Sequence, residues 1–119
     1  MEVTYKILNY KDKDHKCNYY LIDGTPFYHG EEKTYRDGKL LSVFNYRWGQ
    51  LNGEFIKYYK NGKVAAHGFY LKNQVEGFYR AWDENGNMFM HLFCVKGNAV
   101  QGYHMLSPIK KTRFLALEI

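Results

Sequence analysis

Hydrophobic and polar residues alternate along this chain in short runs broken by glycine-containing pairs. KLLSVFNYR follows Asp37-Gly38, KVAAHGFYL follows Asn61-Gly62, and NMFMHLFCV follows Asn85-Gly86. Neighbouring residues of a strand face opposite sides. Counted forward from each turn glycine, the even positions are Leu40, Val64 and Met88, then Ser42, Ala66 and Met90, then Phe44, Gly68 and Leu92, then Tyr46, Tyr70 and Cys94. All are apolar or small, which predicts a core column. The odd positions begin with Lys39, Lys63 and Asn87. They continue through Leu41, Ala65 and Phe89, then Val43, His67 and His91, and end at Asn45, Phe69 and Phe93. A plain solvent face would carry Thr, Lys and Glu there. Aromatic residues in this column predict either a curled sheet that half-hides them or an exposed strip that meets a partner. No segment sustains a helical period, so the pattern predicts an all-β chain.

The runs are units of a repeat. The glycines Gly30, Gly53, Gly77 and Gly102 open successive units, at spacings of 23, 24 and 25 residues. The turn glycines Gly38, Gly62 and Gly86 are 24 apart. An aromatic stands five positions after each of the first three opening glycines, at Tyr35, Tyr58 and Trp82, and Tyr46, Tyr70 and Cys94 stand eight after each turn glycine. Asp-Gly and Asn-Gly between aromatic runs predict two-residue type I′ hairpin turns. RWGQLNG, LKNQVEG and VKGNAVQG are expected to form the looser turns between hairpins. These signals predict one domain, 1–119: consecutive antiparallel β-hairpins in a twisted ribbon or solenoid of about four units. Residues 1–29 hold a degenerate first hairpin, with strands at Val3–Tyr10 and Lys16–Ile22 and a turn over 11–14. Residues 30–106 hold the repeats. Residues 107–119 form a terminal cap, in which FLALEI is a last strand or a short helix.

The residues Asp37, Gly38, Lys39, Tyr46, Gly49, Gly53, Phe55, Tyr58, Asn61, Gly62 and Lys63, and again Tyr70, Asn73, Gly77, Trp82, Asn85 and Gly86, give the chain a family resemblance. It resembles the MORN repeat (membrane occupation and recognition nexus), in its variant form, over roughly residues 30 to 102. The resemblance implies a ribbon of β-hairpins serving as an interaction scaffold, in some members a lipid contact, and in bacterial variants an antitoxin-like protein. Asn87 stands where the pattern has Lys and Cys94 where it has Tyr, and the fourth unit decays. No catalytic residue carries over.

Composition changes this picture in three places. Aromatic residues make up 18% of the chain, including 12 Tyr, which suits strands and contact surfaces. The formal charge of +5 favours an acidic protein surface, a nucleic acid or an anionic membrane as partner, and an excess of Lys also serves solubility. Cys17 and Cys94 are too far apart in sequence for a metal-ligand motif, and form either one disulfide or two thiols of a reducing compartment. The first residues lack the apolar core of a signal peptide, and no apolar run is long enough to span a bilayer as a helix, so a cytoplasmic protein is expected.

No catalytic constellation is evident. Glu31 and Glu32 are adjacent and face opposite ways in a strand. Neither serine sits in a nucleophile elbow, and no phosphate-binding glycine loop is present. His67 and His91 share a column on successive units, about 9.6 Å apart by two strand spacings. That is too far for one metal ion at bond lengths of about 2.0–2.1 Å without a third ligand. Metal and cofactor are therefore not expected. The expected function is non-catalytic protein binding, as a small inhibitor or antitoxin-like protein of a microbe or phage. Its contacts would be Arg47, Trp48, His67, Phe69, Arg80, Phe89, His91 and Phe93, with a second copy of the chain as another candidate partner. The alternative is a nucleic acid or an anionic membrane bound by interleaved basic and aromatic residues, as in Lys57-Tyr58-Tyr59-Lys60 and Phe78-Tyr79-Arg80.

Overall fold

The structure, a computed structural model, describes residues 2–9, 15–107 and 110–111, with side chains over 2–7 and 16–102. The expected 11–14 turn and the FLALEI segment lie outside the described residues. The strands are β1 (Val3–Asn9), β2 (His15–Ile22), β3 (Gly30–Arg36), β4 (Lys39–Arg47), β5 (Gln50–Leu51), β6 (Gly53–Tyr58), β7 (Val64–Leu71), β8 (Gln74–Trp82), β9 (Met88–Val95), β10 (Asn98–Ser107) and β11 (Lys110–Lys111). All pair antiparallel in one open sheet, in the order β1-β2-β3-β4-β6-β7-β8-β9-β10-β11, with β5 off this path and paired to β4. Strand neighbours in sequence are therefore neighbours in space, as consecutive hairpins require. The envelope of 48 × 32 × 17 Å is that of one curved layer.

The turns depart from expectation. Asp37 (φ 51°) and Gly38 (φ 75°) form the predicted type I′ turn. At Asn61-Gly62 only the glycine has positive φ, and the loop starts earlier: the Tyr59 carbonyl accepts from Gly62 N–H at 2.9 Å, while Tyr59 N–H donates to the Lys63 carbonyl at 2.9 Å. Asp83 to Asn87 repeats this geometry, at 3.0 and 2.8 Å. These are type I turns closed by a left-handed glycine. The reason lies in the side chains. Asn61 Oδ1 accepts from Lys63 N–H while its amide donates to the Glu84 carbonyl of the next unit, both at 2.9 Å. Asp83 Oδ1 accepts from Asn85 and Asn87 N–H. The turns expected to be loose are the tight ones. Trp48-Gly49, Lys72-Asn73 and Lys96-Gly97 all have positive φ, and the flanking residues Arg47 and Gln50, Leu71 and Gln74, and Val95 and Asn98 pair directly.

Each repeat hairpin also carries a bulge. Leu41, Ala65 and Phe89 are the extra residues opposite the pairs Thr34/Tyr35, Lys57/Tyr58 and Ala81/Trp82. The bulges keep the 24-residue period. A bulge shifts the alternation, since two residues oppose one. Val64, expected in the core column, accordingly lines a recess with Ile56, His67 and Trp82 on the other face.

From Ser42, Ala66 and Met90 onward the even column faces the core. Phe55, Val75, Leu92 and Cys94 are its most buried large side chains. The Phe44 and Phe55 rings stack at 5.7 Å, and Tyr70 and Tyr79 lie against Phe55 at 4.8 and 5.9 Å. Val75, Leu92, Cys94 and Ala99 pack together with Tyr70, Tyr79 and Met90 around them. Cys17 on β2 and Cys94 on β9 are buried thiols, not a disulfide.

Candidate functional site

The opposite, outward face is built by the residues that alternate with this core. Cross-strand pairing aligns Ile56, His67, Arg80 and His91 in one row across β6 to β9. A second row, one step toward the tight turns, aligns Glu54 with Phe69 and Phe78 with Phe93 and then Gln101. Phe69, Phe78 and Phe93 are 40%, 46% and 39% exposed, large values for phenylalanine. Leu71, Val95 and Val100 extend the exposed apolar area beside them.

The two rows interlock. Phe78 meets Phe93 edge to face at 5.4 Å, and His91 at 5.5 Å. The Arg80 guanidinium lies over the Phe78 ring at 4.9 Å, and Arg80 Nε donates to His91 Nε2 at 3.5 Å. On the adjoining strands, His67 Nε2 lies 2.9 Å from Glu54 Oε2, and the His67 ring packs on Phe69 at 5.5 Å. A recess of about 460 Å³ opens among Phe78, His91, Phe93, Gln101 and Gly102. The arrangement offers flat aromatic faces held in place by charged neighbours, a surface suited to desolvation by a partner.

Of the expected contact residues, His67, Phe69, Arg80, His91 and Phe93 come together here. Phe89 does not join the exposed row; it is half-buried in its bulge. Arg47 and Trp48 form a separate feature at the β4–β5 turn. There Trp48, 52% exposed, adopts φ 50°, donates its N–H to His29 Nδ1 at 3.3 Å and sets its ring 6.1 Å from the imidazole. Phe78 stands on β8, the first strand of its hairpin, outside the columns that run along the second strands. Alternation from Phe55 and Tyr79, both inward, would have placed it outward.

The basic–aromatic runs are divided between faces. Lys57 reaches over the inner Phe44 ring at 5.9 Å, and the Tyr59 hydroxyl donates to the Trp82 carbonyl at 2.6 Å. Phe78 and Arg80 point outward while Tyr79 points in. Glu31 and Glu32 divide likewise: Glu31 pairs with Lys33 at 3.2 Å, and Glu32 accepts from the Tyr46 hydroxyl at 3.5 Å. The register sets Arg80 between His67 and His91. Among the described residues no group of three His, Cys, Asp or Glu is placed to hold a metal ion. Burial raises the Cys94 thiol pKa above its ordinary value, which disfavours the reactive thiolate. No family model matches the sequence, and no curated protein matches it either.

Proposed function

We propose that this chain is a non-catalytic protein-binding module that engages its partner through the outward face of β7 to β10. The observation that carries this reading is the exposed edge-to-face pair Phe78 and Phe93, bordered by Arg80, with Phe69, Leu71, Val95 and Val100 exposed as well. Exposed apolar patches of this kind mark interaction sites, and aromatic and Arg side chains supply most interface hot spots. The net charge of +5 suits an acidic partner, with attraction that fades as salt rises. The resemblance to variant MORN repeats supports an inhibitor or antitoxin-like role in a microbe or phage. Two buried thiols suit a reducing compartment such as the cytoplasm. Among the described residues no helix is long and apolar enough to cross a membrane.

The test is partner capture with the wild-type chain and with Phe69→Ala plus Phe78→Ala. A partner recovered by the first and lost by the second supports the reading. Equal recovery by both removes this face from it. Salt-sensitive binding to single-stranded oligonucleotides or to anionic vesicles, abolished by the same variant, would transfer the face to the nucleic-acid or membrane reading.

A further inference from the structure

The two edges of the sheet are built differently. At one end β10 is covered by β11, a two-residue strand of lysines, and the pairing is broken by a register shift between Met105 and Ser107. A short, charged, irregular edge is how natural sheets discourage further pairing. At the other end β1 is seven residues long, pairs among the described residues only with β2 and keeps an unbroken register from Val3–Ile22 to Asn9–Lys16. It contains no proline and no bulge. Val3, Tyr5 and Ile7 on its outward face are 38%, 47% and 56% exposed.

The hydrogen bonds show which peptide groups of β1 point away from β2. The Glu2 carbonyl accepts from Asp23 N–H at 3.0 Å, so Glu2 turns its backbone toward β2. Alternation then turns Thr4 and Lys6 the same way, and points the N–H and C=O groups of Val3, Tyr5 and Ile7 out of the open edge. The partners of Val3 and Tyr5 agree. Ile22 N–H donates to Phe27 and the Tyr20 carbonyl accepts from His29 N–H, both on the side of β2 away from β1.

The geometry points to β1 as the docking edge for a second copy of this chain, joined antiparallel about Tyr5 so that two sheets become one. In this register Val3 faces Ile7 of the other copy, Tyr5 faces Tyr5, and Ile7 faces Val3. All three are hydrogen-bonded pairs that use the outward peptide groups. The apolar row meets an apolar row. Lys6 faces Thr4, with Glu2 of the other copy on the diagonal, so opposite charges approach. A register centred on Lys6 would instead oppose two lysines, which destabilises a strand pair. Tyr20 packs beside Tyr5 at 5.1 Å, so the join brings four tyrosine rings together on the outward face. A strand-edge contact of this length belongs to the small, exchangeable interfaces, below about 1,200 Å². The dimer therefore forms in a concentration-dependent equilibrium, opposed at low salt by the positive charge of each copy.

Sedimentation of the full chain from low to high micromolar concentration tests this. The expected result is a doubling of mass at the high end, lost in Tyr5→Pro and kept in Phe78→Ser plus Phe93→Ser. Proline at position 5 removes an N–H that serves no bond to β2, so the variant is expected to stay folded, with a melting temperature lowered only by loss of the Tyr5–Tyr20 ring contact. If it unfolds instead, Tyr5→Cys decides. Oxidation should link it to itself across the two-fold axis, and Lys6→Cys should not link. A chain that stays monomeric throughout, a folded Tyr5→Pro that still dimerises, a dimer abolished by the Phe78 and Phe93 substitutions, or a Tyr5→Cys that never cross-links overturns the proposal. Because the test reads self-association alone, its failure leaves the partner-binding face to be judged by its own capture experiment.

Discussion

The ring of Phe55 occupies the space that a side chain on its cross-strand partner Gly68 would need. A Cβ at position 68 would lie 2.8 Å from Phe55 Cε1, 3.0 Å from Cζ and 3.2 Å from the Phe78 carbonyl oxygen. Unlike the turn glycines, Gly68 has no positive φ, so it is needed for room and not for conformation. Alanine in place of a strand glycine ordinarily gains about 0.5–1 kcal/mol in backbone entropy. Here overpacking against a ring already stacked on Phe44 should dominate, and Gly68→Ala is expected to destabilise by about 1–3 kcal/mol. Urea unfolding should show a lower midpoint with an unchanged slope. A midpoint at or above wild type would mean that the Phe55 ring yields freely.

The Phe78–Phe93 pair behaves oppositely, because both rings are exposed. Replacing both by serine should cost the fold little more than the edge-to-face contact, about 0.5–1.5 kcal/mol. Binding of a captured partner should fall much further, by about thirtyfold or more if the pair is a hot spot. Calorimetric titration with the purified partner, beside a thermal melt of the variant, separates the two effects. Loss of stability matched by unchanged affinity would assign the rings a structural role.

How far the chain could be read beforehand follows from which signals were local. The hairpins were legible because glycine spacing is local: Gly38, Gly62 and Gly86 all carry the positive φ that their turns need. The turn types at Asn61-Gly62 and Asn85-Gly86 were not, since Asn61 and Asp83 are committed by hydrogen bonds that extend beyond a two-residue turn. The inward column held from Ser42, Ala66 and Met90 and failed at Val64, because the bulge at Ala65 inserts a residue that no alternation rule anticipates. The exposed Phe69 and Phe93 and the row of His67 and His91 followed from counting along a strand. Phe78 and Arg80 join them only through β8, whose register sets them beside Phe93 and between the histidines. Trp48 and Arg47 shared the chemistry of that face but not its place, with β6 and β7 between their turn and β8.

Glu32 gives the fold a pH dependence of definite sign. Its carboxyl is half-buried on the inner face, and burial raises its pKa above the ordinary 4.5, against the pull of hydrogen bonds from Cys17 and Tyr46. A raised folded-state value means that the native state favours the protonated acid. The stability contributed by that protonation is fully present below the unfolded pKa, near 4.5, and is lost as pH rises through the higher folded value. Glu32→Gln, which stays neutral, should therefore match wild type in acid and exceed it increasingly toward neutral pH. Melts across this range check it. A difference that is constant with pH would mean that the charge on Glu32 carries no penalty in the fold.

Trp48 occupies the first central position of a type I′ turn at φ 50°, a conformation that bulky residues rarely adopt. A left-handed backbone costs a non-glycine residue about 1–2 kcal/mol, and asparagine bears it with less strain. What holds Trp48 there is partly its backbone N–H bond to His29 and the Gly49 N–H bond to the Tyr28 carbonyl at 2.8 Å, neither of which depends on the indole. Trp48→Asn would create the Asn-Gly pair that such turns favour while keeping both bonds. It is expected to raise stability by about 1 kcal/mol. Under the protein-binding proposal the half-exposed indole is kept there for contact outside the fold. The same variant should then lose affinity for a captured partner as it gains stability. Should stability fall instead, the indole's contact with His29 outweighs the backbone strain, and Trp48 is a structural residue of the turn.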